Sequence, residues 1–218
     1  MHNTYKGKFI VIEGLDGAGI ETQAKILYEK MRQRGHALYL DYPQYAHPIG
    51  RAIEWYLNRK EPPPLEVIFL LNAADQIKDG PRIRQALKEG VNISAARYAL
   101  ANLAYQCARG FDLRDALSIL YRIKMPRPHI GVFLDASPET CLKRKMAENK
   151  GKKKGMKELD VYEKNLQFQQ SVYDMYKELI RRKTFVKEWV VVDGEKSIEE
   201  VAAEVERILI PKLMIMQK

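Results

Sequence analysis

The segment from Phe9 to Gly35 constrains the fold of this chain more than any other. Phe9-Ile10-Val11-Ile12 is a short apolar run that stops at Glu13-Gly14, as a strand buried in a parallel sheet should. Gly14-Leu15-Asp16-Gly17-Ala18-Gly19 follows, and glycines at that density mark a tight turn rather than a continuing element. Ile26, Leu27, Lys30 and Met31 then fall on one helical face, and Gly35 stands where glycine is favoured after a helix C-terminus. The unit is strand, glycine-rich turn, helix.

A turn of this kind that binds phosphate reads G-x-x-x-x-G-K-[ST]: the backbone N–H groups cradle phosphates, the lysine reaches the β- and γ-phosphates, and the hydroxyl holds Mg²⁺. The frame is present from Gly14 to Gly19, but the lysine position is Ile20 and the hydroxyl position is Glu21. A helix N-terminus still offers unpaired N–H donors and a partial positive charge, so the loop attracts an anion without its lysine. Glu21 supplies a carboxylate of its own in the first helical turn, which stabilises an exposed helix start by roughly 0.3–1 kcal/mol. Toward a triphosphate the same carboxylate is repulsive, by about 4 kcal/mol per unit charge at about 4 Å and an effective dielectric near 20.

Strand and helix signals alternate along the rest of the chain. Strands are expected at Ala37 to Tyr42, Val91 to Ser94, Ile130 to Asp135 and Trp189 to Val192. Helices are expected at Ile49 to Asn58, Leu65 to Lys78, Gly80 to Glu89, Ala99 to Cys107, Leu113 to Ile123 and Leu159 to Arg181. Ser137-Pro138 supplies an N-cap and a first-turn proline, and Ser197-Ile198-Glu199-Glu200 is a capping box opening the last helix. The expected fold is α/β: a three-layer P-loop sandwich with a parallel sheet of about five strands flanked by helices. The 218 residues suit a single domain, 1–218, with a lysine-rich lid at about 143–158.

The net charge of +9 suits a polyanionic partner, a nucleotide or a nucleic acid. The densest basic stretches are Lys143-Arg144-Lys145 with Lys150 to Lys157, and Arg181-Arg182-Lys183. A solvated surface explains the Arg181 to Lys183 run equally well, whereas a Lys/Gly-rich stretch between two helices suggests a lid. No apolar run is long enough to span a membrane and no leader pattern follows Met1, so the expectation is a cytoplasmic protein without a membrane partner. Cys107 and Cys141 lack redox or zinc spacing, and no metal site is expected from side-chain clustering.

With the loop frame in place, Ala96-Arg97-Tyr98-Ala99-Leu100-Ala101-Asn102-Leu103-Ala104-Tyr105-Gln106 resembles the D-R-Y-x-x-S-x-x-A-Y-Q pattern of the thymidylate kinase family. Asp41 to Tyr45 with Pro48-Ile49-Gly50 is similar to that family's F-P-R segment, and Leu70 to Gln76 to its L-L-F-A-A-D-R helix. The resemblance implies a nucleoside monophosphate kinase fold, usually a homodimer, that moves the γ-phosphoryl of ATP to dTMP with Mg²⁺. It also implies a nucleotide site at Gly14, Asp16, Gly17, Ala18, Gly19, Arg97, Tyr98, Tyr105 and Gln106. The departures fall on the cations and the metal-organising group. Beside Ile20 and Glu21, the acceptor-phosphate arginine is Gln44, the base-contacting arginine is Gln76, the base-stacking phenylalanine is Asn72 and the D-R-Y aspartate is Ala96. His129 replaces an aspartate often found before the fourth strand and reads as a structural histidine.

Phosphoryl transfer is mostly positioning plus charge stabilisation. The leading expectation is therefore a thymidylate kinase-like pseudokinase with a degenerate P-loop, catalytically inactive or severely impaired, that retains weak nucleotide binding and acts through a protein partner. The alternatives are an active dTMP kinase in which Lys152, Lys153 and Lys154 replace the missing loop charge and Glu21 serves the Mg²⁺, and a basic nucleic-acid-associated protein. ATP and Mg²⁺ are expected as cofactors only with the kinase activity.

Overall fold

The computed structural model describes residues 6–59, 61, 64–150 and 166–214. The second half of the expected lid, residues 151–158 with its three central lysines, lies outside the described residues. Five strands, β1 (Phe9–Gly14), β2 (Ala37–Asp41), β3 (Asn92–Ala96), β4 (Ile130–Asp135) and β5 (Glu188–Asp193), form one sheet in the order β2-β3-β1-β4-β5. Every neighbouring pair is parallel. The expected α/β architecture with about five parallel strands is thus the one observed.

The helices are α1 (Ile20–Arg32), α2 (Pro48–Leu57), α3 (Leu65–Ile77), α4 (Gly80–Lys88), α5 (Ala99–Ala108), α6 (Leu113–Arg122), α7 (Pro138–Lys150), α8 (Leu166–Arg181) and α9 (Ile198–Met214). Period-two alternation sorts the central strand between two layers. Phe9 meets the Tyr98 ring at the start of α5, and Glu13 meets Tyr176 of α8, so the odd positions of β1 face α5 and α8. The even positions face the other layer, where Ser94, paired in register with Ile10, donates its hydroxyl to the Ala24 carbonyl of α1. Phe9, Ile10, Val11 and Ile12 are all fully buried, which explains an apolar run that does not alternate.

The caps read from sequence form as expected. Ser137 Oγ accepts from the Thr140 amide at 3.2 Å, and Ser197 and Glu200 exchange both bonds of a capping box. The third strand is shifted from its expected place: it starts at Asn92 and runs to Ala96, which puts Arg97 immediately beyond its C-terminal end. Four helices end a residue earlier than expected, where fraying is usual. His129 is buried and accepts from the Phe9 amide through Nδ1 at 2.9 Å; burial pushes its pKa down to about 4. It is a structural residue that ties the start of β4 to β1.

Candidate functional site

The C-terminal ends of β1 and β3 lie side by side, with Ile12 in register with Ala96. This places the loop of residues 14–19 next to Arg97. Gly17 and Gly19 take φ values of +95° and +88°, a region that glycine enters without strain. A Cβ on Gly17 would overlap the carbonyl of Cys141, so the first turns of α7 press directly on the loop. Gly19 is the N-cap of α1 and supplies no side-chain cap, so the start of α1 keeps the open donor end that suits an anion.

Ile20 does not enter the cradle. Its side chain is 6 % exposed and belongs to the hydrophobic core with Ala24 and Leu27. Glu21 is exposed and pairs with Lys25 one turn along α1. The carboxylate therefore caps no loop amide; it answers a lysine of its own helix. Asp41, at the end of β2, has its pKa raised first by burial and then by Glu21, so this flank of the loop carries acid.

Arg97 gathers the other expected residues. It sits at φ +61°, its amide bonds the Ile12 carbonyl at 3.0 Å, and its guanidinium reaches the Gly14 carbonyl at 3.4 Å. The guanidinium also forms an ion pair with Asp16 and lies 5.6 Å from the centre of the Tyr105 ring. Asp16, Gly14, Arg97 and Tyr105 are thus brought together in one constellation. Gln106 stands behind it, buried, accepting from Arg109 at 3.0 Å.

Tyr98 needs a correction. It is fully buried, and its hydroxyl donates to Met125 Sδ at 3.1 Å. Its ring packs between Phe9 and Tyr42, leaving no face for a ligand. Its place in the D-R-Y pattern serves packing.

Gln44 and Gln76 lie toward α3. The Gln44 amide donates to Asp75 Oδ2 at 2.8 Å, and its carboxamide nitrogen donates to Asp79 Oδ2 at 3.0 Å. Lys78 pairs with both aspartates, so among the described residues the cation at this corner is already partnered. Gln76 is buried, and Asn72 turns its amide back to the Ile68 carbonyl at 2.9 Å. Ala96 is buried and offers a methyl group where the motif has a carboxylate.

Two further groups were missed by sequence reasoning. Glu13 is fully buried and accepts from the Tyr176 hydroxyl at 2.9 Å; burial raises its pKa to about 8, against the lowering effects of Arg97 and Tyr176. Asp135, closing β4, accepts from Tyr173 at 2.6 Å and pairs with Lys177 at 2.9 Å. A carboxylate ending an apolar strand one residue before a glycine loop was the available signal for Glu13.

The described residues do not suit a protein-held Mg²⁺. Among the described residues no group of three or more His, Cys, Asp or Glu side chains could hold a metal, Glu21 is engaged by Lys25, and Ala96 has no ligand atom. A phosphate fits better, through the open amides of the loop and the guanidinium of Arg97.

A central strand running into a glycine loop, in a five-strand parallel sheet of this order, defines a P-loop α/β fold of the nucleoside monophosphate kinase class. The thymidylate kinase family model matches residues 12–205. A thymidylate kinase of Danio rerio is 30% identical over 202 residues, covering 92% of this chain and 88% of that protein. The chain belongs to the thymidylate kinase family.

Proposed function

We propose that this member of the family binds a nucleotide at the loop and Arg97 but transfers phosphoryl groups very slowly, so that its role is binding rather than turnover. The burial of Ile20 carries the reading: the position that should send an ammonium to the phosphates sends an apolar side chain into the core. Removal of one preorganised charge donor typically costs about 10²–10³ in rate, and here Glu21 and Ala96 remove two more contributions. The test is an ADP-release assay with ATP and dTMP, beside calorimetry with ATP, ADP and dTMP. The expected result is measurable nucleotide binding with turnover more than tenfold below about 1 s⁻¹, the low end for kinases.

Turnover within that tenfold would establish the second reading, ATP:dTMP phosphotransfer with charge from Lys152 to Lys154. The loop conformation and the Arg97–Asp16 pair favour that alternative. A nucleic-acid role has less support, because Arg181 and Arg182 both pair with the single carboxylate of Glu178. Among the described residues no helix is long and apolar enough to cross a membrane, and we place the protein in the cytoplasm on the substrates of its family.

A second copy of the chain is the proposed partner. Helices α2 and α3 pack on one another yet leave Trp55 58% and Leu70 50% exposed. Leu70→Asp is expected to convert a two-fold dimer to a monomer by light scattering at micromolar concentration. A monomeric wild type under the same conditions would exclude the dimer.

A further inference from the structure

Charge in this molecule is sorted along the strands. Glu13, Asp41, Asp135 and Asp193 stand at the C-terminal ends of β1, β2, β4 and β5, the end that carries the loop. The opposite end, where the strands begin, is basic: Lys88, Arg122, Lys124, Arg127, Lys183 and Lys187 are all exposed there. Arg84 donates to the Lys124 carbonyl at 3.3 Å and Arg127 to the Phe185 carbonyl at 3.2 Å, so α4 and the turns after α6 and α8 form one continuous surface. The carboxylates nearby are occupied, Glu178 by Arg181 and Arg182, Glu188 by Lys212 and Glu89 by the Gln85 amide. Among the described residues none of them pairs with the six cations.

A run of surface cations is by itself an ordinary solvated face. The turns that carry two of these cations are not ordinary. Helices α4, α5, α6 and α8 end in the same pair of backbone bonds, closed by Gly90, Gly110, Lys124 and Lys183 in left-handed conformation at φ +84°, +105°, +54° and +50°. Glycine enters that region without strain, and the chain uses it after α4 and α5. Lysine does not, and the attraction of an exposed cation to a helix C-terminus is smaller than the backbone cost to an L-residue. Two ammonium groups are therefore held at this end against the preference of the backbone, and such strain marks a place where another requirement acts.

An apolar centre lies between the cations. Tyr121 is 49% and Ile123 37% exposed on either side of Arg122, and the Tyr121 ring lies 5.7 Å from both the Arg127 guanidinium and the Phe185 ring. A phosphate backbone gives Ile123 nothing to bury against. A protein segment that carries carboxylates around an aliphatic or aromatic side chain meets both the apolar centre and its basic rim. We propose that the end of the molecule opposite the loop docks an acidic protein segment, whose apolar side chain seats on Tyr121 and Ile123 while its carboxylates meet Lys124, Lys183 and the cations around them. This docking is independent of nucleotide binding at the loop.

Fluorescence anisotropy tests the proposal with a labelled peptide of glutamates interrupted by leucines, beside an all-glutamate peptide of equal length and an oligothymidylate; co-sedimentation tests vesicles of phosphatidylcholine and phosphatidylserine. The leucine-containing peptide is expected to bind about fivefold or more tightly than the all-glutamate one, and to weaken as salt rises from about 50 to 200 mM. Lys124→Gly combined with Lys183→Gly is the decisive variant. It is expected to lose about tenfold or more in peptide affinity while melting no lower than wild type, since glycine relieves both turns. Tyr121→Ala with Ile123→Ser should bring the two peptides to equal affinity. The inference is overturned by equal wild-type affinity for the two peptides, by tighter binding of oligothymidylate or vesicles than of the leucine-containing peptide, or by binding of none of the probes. A glycine variant that holds the peptide as wild type does, or that melts lower, overturns it as well.

Discussion

Gly17→Ala is expected to lower stability by about 3 kcal/mol or more, because a left-handed backbone costs an L-residue roughly 1–2 kcal/mol and the new methyl group also meets backbone that cannot yield cheaply. That backbone is the Cys141 carbonyl in the first turns of α7, which rests against the loop. For a chain of this size the loss corresponds to a fall of about 6–12 °C in melting temperature. Gly19→Ala separates the two causes. Gly19 has a similar φ, +88°, but nothing lies within 4 Å of the added Cβ, so only the backbone cost of about 1–2 kcal/mol remains. Thermal melts of the two variants should therefore differ by several degrees. Equal losses would mean that α7 does not bear on the loop, and the account of how the loop is held would fail.

Restoring the loop lysine alone is expected to do little. Ile20 is 6 % exposed, so Ile20→Lys gives up apolar burial. That loss is about 1.5–3 kcal/mol for a side chain of this size. The new ammonium would also stand beside Glu21, whose carboxylate is available at the price of one exposed pair with Lys25. A tenfold gain in turnover at most is expected from this variant, since neither the metal site nor the acceptor clamp is rebuilt. Ile20→Lys combined with Glu21→Thr, Gln44→Arg and Ala96→Asp is expected to gain about 10²-fold or more and to bind ATP·Mg²⁺ more tightly than any single variant, because groups acting as one unit are strongly non-additive. Gln44→Arg would find the Asp79 carboxylate that Gln44 already contacts at 3.0 Å, which gives the new guanidinium an anchor. ATP affinities that are the same for wild type, single and quadruple variants would show that the loop no longer cradles phosphate.

Much of the architecture was legible because its signals are local. The apolar run at Phe9 to Ile12, the glycines after it and the caps at Ser137 and Ser197 each act within a few residues, through backbone preference and side-chain-to-amide bonds. The departures at Ile20, Glu21 and Ala96 were equally plain, since a missing charge is a fact of composition at a position.

The partnerships were not legible. Arg97 and Asp16 are 81 residues apart, and Tyr176 and Glu13 are 163 apart. These groups meet only because the sheet order sets β1 between β3 and β4 and because α8 returns across the odd-numbered face of β1. Tyr98 shows the same division. Its motif position suited a ligand contact, yet packing between Phe9 and Tyr42 made it core. By itself, the order of residues along this chain determined its strands, its loop and the charges the loop lacks. Which side chains lost their water, and so which carboxyl stays neutral and which arginine is held by which acid, was decided by the tertiary structure, because burial and Coulomb energy depend on neighbours that the chain brings together only when folded.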